Sequence, residues 1–275
     1  MLGSTQQPKK THPKAIFIIW KLNSNIFFWS VISPCALGMP CFVPFDNKKL
    51  DVSFFAFRPT GVFADELIDA VKYFSFHAED LGCVYSSVLR SIHGNMIVWY
   101  GAWLRRSPDN RKMLNDALLS VLEEVSTMGV LLHHGFFEAF FGESKDGSSL
   151  AKFSSGDTIF LSAMASTPRD VADLSYACLA LHKTFFAKTD GLSADVHLRC
   201  NDQPVVAALM VWKSLHACYS WLLRSDYRNT ILPYFSHLSQ DAQFDVFKVV
   251  YVNRDEILNV SPFPPRTIGG GDGEE

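Results

Sequence analysis

The chain has 275 residues, 48% of them hydrophobic and 23 of them Phe, with a formal charge of −3. So apolar a composition excludes wholesale disorder, and the length allows one large domain or two small ones. The near-neutral charge, with its basic residues scattered, implies no positive field for nucleic acid.

Residues 1–38 do not match the rest. A polar start carrying Lys9, Lys10 and Lys14 precedes an apolar stretch over 15–38, which Lys21 and Asn23-Ser24-Asn25 interrupt. Each apolar piece is shorter than the ~18–20 residues that span a bilayer. The expectation is an upstream extension outside the fold, with the functional chain starting at Met39. The alternative is a signal anchor through 15–38, which would tether the chain to a membrane. Without that anchor an intracellular protein of the cytoplasm or nucleus is expected. Six cysteines lie far apart, several inside apolar runs, which suits buried free thiols in a reducing compartment.

"DVSFFAFRPT" (51–60) predicts a strand ending in a Pro-containing turn. Over 63–80, Leu67, Val71, Phe74 and Ala78 recur at helical spacing, and Gly82 follows the end. Residues 83–91 and 95–104 are β-branched and aromatic runs split by Ile92-His93-Gly94, a hairpin signal. The spacing over 106–129 predicts a helix with Ser107 as its cap and Pro108 at the first helical position. The apolar run 130–141 reads as a strand. The first half, 39–141, thus has the order β-α-β-β-α-β.

The polar, three-glycine stretch 142–157 reads as a linker loop. The order then begins again over 158–260, with a strand at 158–166 and a helix capped by Thr167 with Asp170. A strand at 194–200 and an apolar run at 205–223 that turns helical come next. Helical patterns over 226–248 break at Pro233, and a final hairpin around Asn253 closes the half. Residues 261–275 are Pro/Gly-rich and acidic, the composition of a disordered tail. The phrases ending in Trp99 and Trp212 share a Val-Trp pair and fall in the third strand of each half. The expected fold class is α+β: two related β-α-β-β-(α) halves, ferredoxin-like or longin/roadblock-like, packed as one body.

Three phrases carry a resemblance: "MPCFVPFD" (39–46), "SIHGNMIVWYGAW" (91–103) and "GESKDGSSLAKF" (142–153). They resemble a plant family known as a domain of unknown function, some of whose members are labelled with meiotic chromosome segregation. The resemblance covers roughly residues 39–260 and implies Met39 as the natural start. It implies no catalytic residues.

Candidate chemistry is sparse. Gly142 and Gly147 have the G-x-x-x-x-G spacing of a phosphate loop, but Ser148 stands where that loop needs lysine. His197, Cys200, His216 and Cys218 are zinc-type residues, yet a separation of three on a strand puts His197 and Cys200 on opposite faces. His133, His134 and Glu138 lack a further partner. Neither cofactor nor metal is expected. Ser107, after Arg105 and Arg106, has the surroundings of a phosphosite as well as of a cap. Trp103 beside Arg105 and Arg106 is the candidate surface contact, while Trp99 and Trp212 read as core.

Two functions remain. The first is a non-catalytic interaction module that docks a protein partner through a sheet edge or aromatic patch. The second is an enzyme or small-ligand binder with a pocket between the halves, where His93, Asn95 and His197 would converge.

Overall fold

The computed structural model describes residues 40–253 except 47, 62 and 95. The extension over 1–38, Asn95, residues 254–260 of the final hairpin and the tail lie outside the described residues.

Strand β1 (Cys41–Pro44) leads to β2 (Leu50–Pro59), helix α1 (Ala64–Asp80), β3 (Cys83–Ser91), β4 (Ile97–Leu104), α2 (Pro108–Leu122) and β5 (Gly129–Ser144). Next come β6 (Leu150–Phe153), β7 (Thr158–Ala165), α3 (Val171–Phe185), β8 (Leu192–Cys200) and β9 (Val205–Trp212). Helices α4 (Leu215–Arg224) and α5 (Leu232–Phe235) precede the last strand, β10 (Asp241–Val252). The fold is α+β, as its composition of strands and amphipathic helices predicts.

Four strands line up as β3-β4-β2-β5 and four as β8-β9-β7-β10. The two groups do not form separate units facing each other across a seam. β5 pairs with β8 and β10 with β3, all antiparallel, so eight strands close into one barrel. Closure pairs every outer strand of one group with an outer strand of the other, which leaves no open edge in the barrel.

Alternation along each strand then sorts the side chains. Val52 and Phe54 of β2, Val98 and Tyr100 of β4, and Leu209 and Val211 of β9 fill the barrel. Their neighbours point outward beneath helices. Trp99 and Trp103 join the layer under α1 and α2, and Trp212 the layer under α3 and α4. Both Val-Trp pairs therefore do the same thing, with valine inside the barrel and tryptophan against helices. Trp103 corrects an expectation. It shares the Trp99 face, four residues on, and is 0% exposed rather than a surface contact. Its Nε1 donates to Ser53 Oγ at 2.9 Å. Gly101 lies between the two indoles, where a Cβ would run into the Trp99 ring.

Local starts and stops follow the expected chemistry in part. Ser107 Oγ accepts from the Asn110 amide at 3.4 Å, with Pro108 in the first turn of α2. Helix α3 begins later than Thr167, because Thr167 Oγ1 and the Asp170 carboxylate close a turn at 2.6 Å ahead of it. The helical reading of 226–248 ends at Phe235, and Asp241–Val252 is the strand β10 instead of helix. A two-residue period carries it: Phe247 and Val249 face the barrel while Val246 packs under the helices. The stretch 142–157 is more than a loop, since β6 pairs antiparallel with β1. Among the described residues, no helix is long and apolar enough to cross a membrane.

The β1–β6 pair plugs one barrel end. Cys41, Val43, Ala151 and Phe153 join the barrel-filling residues, and Tyr100 Oη donates to the Phe42 carbonyl at 2.7 Å. Phe45 lies on Gly142, where any Cβ would collide with its ring. The phosphate-loop glycine is thus a seat for an aromatic ring.

Candidate functional site

The other barrel end is not filled. Its inward positions are Ala56 on β2, Ala163 and Ala165 on β7, and Ala207 on β9, and side chains this small leave a cavity of about 230 Å³. Phe54, Val98, Leu161 and Phe247 form its apolar walls. His133, Gln203, Asp241 and Gln243 stand exposed around the rim. Phe54 and Val98 of one strand group and Leu161 and Ala207 of the other face the same space, so the cavity belongs to both.

One rim carboxylate is held in place. Asp245, which lines the cavity, accepts from the Ser91 hydroxyl and from His93 Nδ1, the latter at 2.7 Å. The other His93 nitrogen, Nε2, faces the Tyr219 hydroxyl of α4 at 3.2 Å. With Nδ1–H committed to the carboxylate, Nε2 of a neutral ring accepts from Tyr219.

A second polar group is buried outside the barrel wall, under α3. Asp195 and His197 sit two apart on β8 and so share its helix-facing side. Asp195 Oδ2 accepts from His182 Nδ1 of α3 at 2.7 Å and from His197 Nε2 at 3.1 Å. Glu143 of β5 meets the other nitrogen of His182, Nε2, at 3.0 Å. The side chain of Glu143 is 53% exposed and that of His182 is 0% exposed, so the group runs from solvent into the core. Asp195 Oδ1 and His197 Nδ1 are buried without a hydrogen-bond partner. A void of about 30 Å³, lined by Leu181, Met210 and Trp221, adjoins the group.

Charge states follow from these contacts. Burial pushes the Asp195 carboxyl up, but the rings of His197 and His182 outweigh it and hold the carboxyl down at about 2. Burial pulls His182 down, and Asp195 with Glu143 outweighs that, so its value is raised above the ordinary 6.5. Below that raised value the ring is an imidazolium between two carboxylates. Among the described residues, this is also where a His/Cys/Asp/Glu group has metal-ligand spacing: one donor atom from each of His182, Asp195 and His197 lies within 4.8 Å of the others.

The expected site residues are therefore divided. His93 stands at the barrel rim, His197 is buried on the far side of the wall under α3, and the two do not converge. Cys200 lines the cavity and Cys218 is buried, while His216 is exposed on α4, so the four zinc-type residues do not meet. His133 is at the rim and His134 stacks on Phe55 at 5.9 Å. Arg105 and Ser107 are exposed. The Arg106 guanidinium bonds the Leu81 carbonyl, and its amide donates to buried Asp51, which Arg111 also pairs at 3.3 Å. Glu143, His182, Asp195, Tyr219 and Asp245 were missed. Asp195-x-His197-x-Arg199 is the one signal present, a polar face on a strand whose other face is Ala194, Val196 and Leu198.

Residues 135–247 match a family model described as a domain of unknown function, DUF7392. That span runs from β5 into β10 and contains the His182–Asp195–His197 group. No curated protein matches the chain. Among solved structures, an anthrone oxidase-like protein superposes with a TM-score of 0.64 at 16% identity, covering 80% of this chain and 100% of that one. A proposed monooxygenase from Fusobacterium nucleatum superposes with a TM-score of 0.52 at 8% identity, covering 74% and 94%. At such identities the likeness is one of fold.

Proposed function

We propose that this chain binds a small apolar ring compound in the open end of its barrel. The observation that carries the reading is the cavity of about 230 Å³, apolar in its walls and polar at its rim. An apolar cavity of roughly 150 Å³ holds benzene, so this volume suits one or two fused rings. Asp245, fixed by Ser91 and His93, supplies an acceptor for a hydroxyl on such a ring. The similar structures are described as anthrone oxidase-like and as a proposed monooxygenase, names that refer to small-molecule chemistry. Their fold is consistent with a ligand site here and leaves the ligand open. This reading replaces the interaction module as the preferred one.

A catalytic version is favoured by one observation. The Tyr219–His93–Asp245 chain gives a cavity-lining carboxylate a fixed orientation, as a general base requires. The two strand groups, alike in order, are on this reading a fused pair that jointly builds one ligand cavity.

Calorimetric titration with 1-naphthol tests the binding. The expected result is saturable one-to-one binding, lost in Ala207→Phe, whose ring occupies the cavity, with cooperative melting retained. Absence of saturable binding, or equal binding by Ala207→Phe, would contradict it.

A further inference from the structure

We propose that His182, Asp195 and His197 form a binding site for a divalent transition-metal ion of the zinc class, with Glu143 orienting His182 from behind. The site is separate from the barrel cavity. Asp195 and His197 lie on the helix-facing side of β8, so the proposal stands or falls independently of ligand binding in the barrel.

The donor set comes first. Two imidazoles and one carboxylate suit zinc and its first-row neighbours. Geometry comes second. His182 Nδ1 and His197 Nε2 lie 2.7 and 3.1 Å from Asp195 Oδ2. Ligand atoms around a tetrahedral ion with bonds of ~2.0–2.2 Å stand about 3.4 Å apart. Both imidazole-to-carboxylate spacings thus lie within an ångström of that value, and all three donor atoms lie within 4.8 Å of one another. The far side of His182 comes third. Glu143 Oε2 accepts from Nε2 at 3.0 Å, which leaves Nδ1 as the coordinating atom. A carboxylate behind a ligating histidine in this way fixes its tautomer and raises its basicity.

The fourth observation separates a metal site from a plain hydrogen-bonded cluster. Both bonds to Asp195 fall on Oδ2, while Oδ1 is buried and unpartnered. A carboxylate oxygen left so in the interior keeps its desolvation penalty uncompensated, and a cation shared by the carboxylate removes it. Glu143 and Asp195 together balance the charge of a dication. The adjoining void of about 30 Å³ has room for one water as a fourth ligand.

The test is made on untagged full-length protein stripped with a chelator and then titrated with Zn²⁺ at pH 8. Calorimetry and elemental analysis are expected to give one ion per chain. Asp195→Asn and His197→Gln should each abolish it, and Glu143→Gln should weaken it by 10–100-fold. Co²⁺ loading of the unmodified protein should give visible d–d bands of a four- or five-coordinate ion, a readout that does not depend on any variant folding. Failure of the unmodified protein to bind Zn²⁺ or Co²⁺ at hundreds of micromolar would overturn the proposal. So would binding that survives in Asp195→Asn.

Discussion

Replacing Trp99 with alanine is expected to destabilise the chain by about 3–5 kcal/mol. The side chain is 0% exposed and packs edge-to-face on Phe55 and Phe74, with ring centroids 5.8 and 4.9 Å away. It also donates from Nε1 to the buried Ser75 hydroxyl at 2.9 Å, which ties α1 to the barrel wall. Alanine removes the rings, leaves a cavity and strips Ser75 of its donor. At roughly 2–4 °C per kcal/mol for a chain of this size, the melting temperature should fall by about 6–20 °C. Leu104→Ala is the internal control. Leu104 lies one residue beyond Trp103 on the same strand but is 61% exposed, so its loss should stay within about 0.5 kcal/mol. Chemical denaturation of the three proteins checks both values. A Trp99→Ala chain as stable as Leu104→Ala would mean that α1 does not cover this face.

Asp195→Ala should cost a similar amount, about 3–5 kcal/mol in chelator-treated protein, because it leaves buried His182 and His197 without their shared acceptor. Its size should depend on pH. The folded value of His182 is raised above 6.5, so the contribution of that ring is fully present below pH 6.5. It is lost as pH rises through the folded value. The folded value of Asp195 is about 2 against an ordinary 3.8, so its contribution is present above pH 3.8 and lost as pH falls toward 2. The difference between the native chain and Asp195→Ala is therefore largest at roughly pH 4–6.5 and shrinks at pH 9. Urea melts at pH 5.5 and 9 measure it. A difference that is flat or grows toward pH 9 would contradict an ion pair between Asp195 and His182.

Local pattern carried much of the secondary structure. The Phe-rich run 51–60, ending in a Pro-containing turn, and the capped helix begun by Ser107-Pro108 depend on neighbours in sequence, and both are found where expected. Pairing between distant strands was not readable in the same way. The contacts β5–β8 and β10–β3 join residues some 60 and 160 positions apart (Phe137 with Cys200, and Phe247 with Ser91), and no local periodicity encodes which edge meets which. Trp103 shows a related limit. Adjacent arginines argue for a surface, but its alternation with Trp99 and the covering helices decide its burial.

The candidate sites divide along the same line. His93 was readable as a turn histidine, yet its partner Asp245 is 152 residues away. The alanines that create the cavity look like ordinary small strand residues until closure turns Ala56, Ala163 and Ala207 toward one another. The spacing of Asp195 and His197 does place both on one strand face, but nothing local marks that face as a site. Helix α3 gives that face its meaning, because His182 reaches it only after the helix has packed back on β8.

A preformed, apolar ligand cavity at the open barrel end should take up xenon in pressurised crystals. Xenon density is expected inside the barrel, between Phe54, Val98, Leu161 and Ala207. A barrel end closed by side chains, or one that takes no xenon, would contradict it.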